Sequence, residues 1–264
     1  MSAPAPPLQR VLAQARLELR LLVRSGESLV VTFGIPLGIL LFFGTVDVLP
    51  VDAEDPLDLL LPGTLAIAVM STGFVAQAIS TAFERKYGVL KRLGATPLTR
   101  PEFLLAKGLA VAVVVAVQVV VLVGVATALR GGFPTATAGQ LGVEPRAALW
   151  LVPLGVVLGA VVFTALGLAL AGGVRAELVL AGSNGVYLLL LLVSDLVFSL
   201  PDALAPLVLA TPSGALGIVL RRALDPALWG EPALAGRVGV ALVVLFAWGL
   251  LALLVARRTF RWEP

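Results

Sequence analysis

Long, almost unbroken apolar runs separated by short polar stretches dominate this chain. A helix needs about 20 mostly apolar residues to cross the hydrocarbon core of a bilayer. Six runs qualify: Leu29–Leu49, Leu59–Ala82, Gly108–Leu129, Leu149–Ala171, Leu178–Leu200 and Val238–Ala256. Backbone groups in lipid must be satisfied within the spanning segment, so each run is predicted as a helix. That includes the valine-rich stretch Val111–Val125, whose residues favour strands by propensity. The ten-residue alternation of an outer-membrane barrel is absent. Pro36 and Pro153 are expected to kink or start spans. Gly155 and Gly159, and Gly182 with Gly185, are expected to permit close helix packing.

Outside these runs the pattern changes. From Leu8 to Arg24, Leu8, Val11, Leu12, Ala15, Leu19, Leu22 and Val23 share one helical face, and Arg16, Arg20 and Arg24 line the other. Leu17 and Leu21 fall on the polar side. An amphipathic helix at the headgroup boundary is predicted; a basic leader that only sets topology is the alternative. In the loop Phe83–Lys107, Tyr87, Leu90 and Leu93 recur at i, i+3, i+6 beside Lys91 and Arg92. This predicts a short helix stopped at Gly94, a turn opened by Thr96-Pro97, and a second helix from Thr99, with Pro101 just inside, running into the third span. A short helix tied to two spans can transmit a push from a docked partner; a solvated basic loop is the alternative. The segment Pro201–Arg237 carries five prolines yet is apolar from Leu204 to Leu220, which suggests short helices that re-enter the membrane or lie on its outer leaflet.

Composition narrows the class. The 264 residues are 59% hydrophobic and 13% charged, with a mean hydropathy of +1.03, more apolar than a soluble exterior tolerates. The net charge is only +3, but its distribution orients the chain. Fourteen Lys and Arg residues fall on the side of the N-terminus, the Phe83–Lys107 loop, Arg175 and the C-terminus, against five (Arg130, Arg146, Arg221, Arg222 and Arg237) on the other. The first outer loop holds Asp47, Asp52, Glu54, Asp55 and Asp58 without a base. The positive-inside rule then places both termini in the cytoplasm. A cleavable signal peptide fits the first run poorly, because its basic region is long and five more spans follow. The expected layout is a cytoplasmic N-terminus over residues 1–27, a six-span domain over 28–256 with a coupling loop at 83–107 and an outer re-entrant segment at 201–237, and a cytoplasmic tail over 257–264. The predicted fold class is an all-α integral membrane protein.

Candidate chemistry is sparse. The chain has no Cys and no His, which excludes disulfides, thiol nucleophiles, His acid–base chemistry and metal or haem sites built on those ligands. Without a carboxylate cluster in an apolar setting, no metal site is expected. No Gly-x-x-x-x-Gly-Lys-Ser/Thr phosphate loop occurs, so energy must come from another polypeptide or from an ion gradient. The spans are nearly free of ionisable residues, which proton-coupled transport usually places there. Asp195 in the fifth span is the best candidate for an ion-coupled secondary transporter, with an acid facing outer water as its alternative role. No lysine is expected within a span, which argues against a serine–lysine membrane protease. Ser71, Thr72, Gln77, Gln118, Thr164, Ser183 and Asn184 are polar residues within spans. Thr72, Gln77, Gln118 and Asn184 are taken as candidates for a substrate pathway; bonds to the preceding turn or between helices are the alternative role.

The loop also carries a resemblance. Phe83-Glu84-Arg85, Gly88-Val89-Leu90-Lys91-Arg92-Leu93, Ala95-Thr96-Pro97-Leu98-Thr99-Arg100 and Ala106-Lys107 resemble the signature of bacterial ABC-2-type transporter permeases. Leu200-Pro201-Asp202 and Thr211-Pro212, with Arg221 following, resemble that family's stretch after the fifth span. The small size and short loops look like the daunorubicin-resistance-exporter-like branch, although Ala106 stands where the family usually has glycine. The resemblance implies a multi-pass subunit of the bacterial inner membrane that pairs with a second copy or a related permease and with two ATP-binding subunits. ATP and magnesium would be held by those partners, with no cofactor in this chain and no nucleic-acid partner. It implies export of amphipathic drug-like or lipid-like cargo. The coupling surface would comprise Glu84, Arg85, Tyr87, Gly88, Leu90, Lys91, Arg92, Leu93, Thr96 and Pro97, with Arg85, Lys91 and Arg92 meeting acidic groups of the ATPase. Glu84 would pair at the lipid boundary with a base from the N-terminal helix or its own loop.

Overall fold

The computed structural model describes residues 5–46, 56–130, 149–196, 200–224 and 232–262. Among these residues the secondary structure is helical, with no strand. Helix α1 (Pro7–Arg24) leads by α2 (Gly26–Leu29) and a π-helical turn, Val30–Gly34, into α3 (Ile35–Thr45). Helix α4 (Pro56–Met70), a second π-helical turn (Ser71–Ala76) and α5 (Gln77–Lys86) form the second predicted span. Then come α6 (Val89–Gly94), α7 (Arg100–Arg130), α8 (Leu151–Ala171) and α9 (Ala176–Leu192). A 3-10 turn at Asp202–Leu204 precedes α10 (Ala205–Ala210), α11 (Pro212–Leu224) and α12 (Pro232–Thr259).

Among the described residues, four helical stretches are long and apolar enough to cross a bilayer: Leu60–Lys86, Arg100–Leu129, Leu151–Ala171 and Gly236–Thr259. The first and fifth predicted spans are shorter. Residues 26 to 45 form a continuous helical path of about 30 Å at 1.5 Å per residue, whereas α9 reaches only about 25 Å. The expected helix to Leu200 ends at Leu192, because Asp195 turns the backbone into the left-handed region (φ 57°). The third span is longer than its apolar run, with helix from Arg100, so Lys107 lies two turns inside.

The core gathers around α8. It packs on α12, α11, α4, α7 and the second π-helical turn. Gly155 and Gly159 make this possible: a Cβ on Gly155 would meet Val219 of α11, and one on Gly159 would meet Leu216 and Val69. Gly182 and Gly185 differ from expectation. A Cβ on either meets nothing within 4 Å, because α9 lies at the edge of the bundle. Helix α11 is buried over nearly its whole length between α4, α8 and α12. Its start is held by Ser213 Oγ donating to the Leu190 carbonyl at 2.9 Å. Residues 225–231 of the expected outer segment, and the acids of the first outer loop other than Asp58, lie outside the described residues.

Helix α1 runs from Pro7 as the pattern predicts, and part of its apolar face is covered, Ala15 with Val11, Leu19 and Leu22. Gln14 and Ala15 are buried against α7, with Val11, Glu18 and Leu22 partly covered, while Leu8, Leu12, Leu17 and Leu21 stay exposed. Glu18 lies on the same inward side as Val11, Ala15 and Leu22 and meets a buried cation there.

Candidate functional site

Three consecutive residues at the end of α5, Glu84, Arg85 and Lys86, tie it to three different elements. Successive side chains on a helix diverge by about 100°, so adjacent positions reach in separate directions. Glu84 accepts from Lys107 Nζ of α7 at 2.5 Å. Arg85 is buried and donates to the carbonyls of Ala171, the last residue of α8, and Val174 in the following turn. Lys86 pairs with Glu177 in the first turn of α9. The α5 terminus thereby joins the starts of α7 and α9 and the end of α8. Arg85 also fills a helix-end role, because the last carbonyls of a helix lack intrahelical partners and favour a cation.

Lys107 is the centre of this hub. Its side chain has no exposed surface, and Nζ donates to Glu84 and, at 2.9 Å, to Glu18 Oε2 of α1. Its ammonium also lies 5.5 Å from the centre of the Phe103 ring. A cation in an apolar interior survives only when paired and hydrogen-bonded, and two carboxylates from two other helices supply that here. The expectation that no lysine lies within a span is therefore corrected, as is the reading of Lys107 as the end of a loop. Glu84 finds its base in Lys107, which the sequence pattern assigned to its own loop and the structure places inside α7. The N-terminal helix contributes a second carboxylate instead.

A second ion pair secures the same helices. Arg10 of α1 contacts Glu102 at 2.5 Å through one terminal nitrogen and at 3.2 Å through Nε. The hydrogen bond to the carboxylate pushes the Arg10 guanidinium above its ordinary range. Glu102 also accepts the Thr99 backbone N–H at 2.9 Å, which is half of a capping box with Thr99 at the N-cap of α7.

Helix α6 follows at once. Gly88 adopts a left-handed conformation (φ 73°) that reverses the chain after α5. Leu90 is buried among Leu98, Phe103, Leu104, Leu168, Ala256 and Phe260, with Leu93 and Trp262 packed against that cluster. Trp262 meets Phe103 and Phe260 edge to face while those two rings are tilted against each other, and Trp262 covers Gly94 so closely that a Cβ there would stand 3.0 Å from the indole. Thr96 and Pro97 lie exposed, and Thr96 Oγ1 donates to the Leu93 carbonyl at 2.6 Å. Of the expected docking bases, Arg85 is committed inside. Lys91 and Arg92 face outward with Tyr87.

The substrate-path candidates divide. Gln118 of α7 donates to the Thr32 carbonyl at 2.8 Å and accepts from Thr72 Oγ1 at 3.1 Å. Pro36, four residues after Thr32, has no N–H to serve that carbonyl, so Gln118 satisfies it and joins three helical segments. Asn184 donates to the Leu180 carbonyl of its own helix at 2.7 Å. Gln77 Oε1 is buried without a partner. Thr72, Gln77 and Asn184 line a cleft of about 660 Å³ between α1, the first π-helical turn, the second span, α7 and α9; Gln118 does not line it. Glu18 and Glu84 line the same cleft.

Sequence reading missed Lys107, Glu18, Glu102, Arg10, Glu177 and Trp262. A signal existed for Lys107: a helix starting near Thr99 puts it two turns inside. Glu18 is the sole acid among the first 24 residues, which carry four arginines.

Asp195, the candidate for ion coupling, is engaged by Arg221 at 2.8 Å and accepts the Leu200 N–H at 2.7 Å; Arg221 also donates to the Asp195 carbonyl. A family model described as ABC-2 type transporter matches residues 9–209. No curated protein matches the chain.

Proposed function

The chain belongs to the ABC-2 type transporter family and is thus a membrane permease subunit of an ABC transporter, and on that premise we propose that it exports amphipathic molecules across a bacterial inner membrane, driven by ATP hydrolysed on two partner subunits. Both termini and α6 face the cytoplasm in this reading, consistent with the Lys and Arg excess. A second copy or a related permease completes the pathway. The observation that carries the proposal is α6 itself: a short helix whose Leu90 is rooted in the ends of α7, α8 and α12, and whose Lys91 and Arg92 face outward. A push on α6 reaches three long helices directly. Through Glu84, Arg85 and Lys86, the same loop grips α7, the turn after α8, and α9. Opening and closing of the spans then follows as a shift between packed states.

The test is to express the chain with a candidate ATPase and recover both by a tag on the permease. Lys91→Glu with Arg92→Glu places like charges against an acidic groove, which costs several kcal/mol. ATPase recovery and export are both expected to fall by about tenfold or more, with the amount of extracted permease unchanged. Retention of both would remove α6 as the docking site.

Ion coupling makes a different prediction at Asp195. Asn tolerates the left-handed backbone and can still accept from Leu200. Asp195→Asn is expected to leave export within about twofold of the parent, since the change touches a surface-type pair worth about 1 kcal/mol. Collapse of export in that variant, together with sensitivity to an uncoupler when ATP is ample, would favour a proton-driven carrier.

A further inference from the structure

The cleft between α1, the second span, α7 and α9 has an unusual floor. Its walls are largely apolar, yet two carboxylates, Glu18 and Glu84, line it and share the single ammonium of Lys107. The cluster carries one more negative than positive charge. The hydrogen bonds sharpen the imbalance. Glu18 is satisfied, with Oε1 accepting from Gln14 at 2.8 Å and Oε2 from Lys107. Glu84 is not: Oε1 accepts from Lys107, and Oε2 is buried without a partner. Gln77 Oε1 is also buried without a partner. Gln77 and Glu84 are seven residues apart on α5, two turns along one face and about 10 Å apart. Two unsatisfied acceptors on one face of one helix, both belonging to residues that line one cleft, are costly to leave unpaired. Tyr187 adds an aromatic ring to the same walls, a surface to which cations are attracted.

We propose that this cleft binds an amphiphile bearing a protonated amine, with the ammonium donating to Glu84, a second N–H or O–H of the ligand donating to Gln77, and the apolar body lying along the spans. The volume, about 660 Å³, suits a drug-sized or single-headgroup ligand. This names the cargo class for the export reading and rests on it only in calling the ligand cargo. The same chemistry is carried by a free amine and by an ethanolamine lipid headgroup.

The full chain in phosphatidylcholine nanodiscs is titrated with rhodamine 6G, a cationic amphiphile with N–H groups, and separately with fluorescein, an anion on a related ring system, each followed by fluorescence polarisation. Saturable binding of rhodamine 6G well above that of fluorescein is expected. Glu84→Gln should weaken it by about tenfold, as the loss of a bond to a charged group does, and Glu18→Gln, which removes the cluster's excess negative charge without touching the ligand, should weaken it several-fold. Ile79→Trp, which fills the cleft wall, should abolish it, and Asp195→Asn should leave it unchanged. Glu84→Gln also weakens the hold on Lys107 and can compromise folding; Glu18→Gln leaves the Lys107–Glu84 pair in place and carries the test in that event. Competition by dodecylammonium supports a free-amine ligand, and competition by added phosphatidylethanolamine supports the lipid headgroup. Equal affinity for both dyes, or unaltered affinity in Glu18→Gln and Ile79→Trp, overturns the site. No ATPase is present in these measurements, so failure of the α6 docking reading and failure of this one are separable.

Discussion

Lys107→Met is expected to abolish accumulation of folded chain in the membrane. The lysine is fully buried, and its ammonium is the partner of both Glu18 and Glu84. Removing it leaves two carboxylates facing each other in an apolar interior. Breaking a buried pair from one side costs about 3–5 kcal/mol, a large share of the roughly 5–15 kcal/mol by which a domain is stable. Lys107→Arg keeps the charge but forces a larger planar group into a site with no spare surface, so an intermediate loss is expected. The decisive variant is Lys107→Met combined with Glu18→Gln and Glu84→Gln, which removes all three charges and should restore most of the folded yield, because replacing every partner avoids an uncompensated charge. Size-exclusion profiles of the detergent-extracted proteins report the outcome. A monodisperse peak of parental height for Lys107→Met alone would show that the ion cluster does not hold α1, α5 and α7 together.

The second large effect is expected at Gly167. A Cβ there would stand 2.7 Å from the Phe74 carbonyl oxygen and 3.0 Å from that of Gly73, and Gly73 in turn sits against Phe163 and the Thr164 backbone. The contact is backbone on backbone, between α8 and the π-helical turn of the second span, so no flexible side chain can yield. Overpacking of a tight core costs about 1–3 kcal/mol, and Gly167→Val should reach or exceed that while spreading the wall that borders the cleft. Gly182→Val, in open space on α9, should change thermal stability little. A thermal melt of both variants in one detergent makes the comparison. Equal melting temperatures would show that α8 and the second span are not locked at Gly167.

Parts of this site were legible beforehand and parts were not, for physical reasons that differ by residue. Helix α6, its stop at Gly94 and the restart at Thr99 follow from local spacing, Gly and Pro, which act within one or two turns. The left-handed Gly88 belongs to the same short-range class. The roles of Glu84, Arg85 and Lys86 do not, since adjacent positions in sequence reach partners in α7 and α1, the turn after α8, and α9. Arg85 reads as a docking base in the loop and is a helix-end clamp in the fold. Gln118 reads as a pathway residue and serves a carbonyl that Pro36 leaves open two helices away.

The sequence alone determined that this is an all-α membrane protein, because apolar runs of bilayer length leave the backbone no other way to satisfy its hydrogen bonds in lipid. It also located the basic loop that carries the family resemblance, because that stretch is contiguous. Tertiary structure decided where the charges go. Lys107 is buried rather than flanking a span, α1 turns Glu18 inward, and Glu84, with one carboxylate oxygen buried and unpaired, lines a cleft. Those outcomes depend on which helices meet, and the cost of burying an unpaired charge, not any local pattern, selects among them.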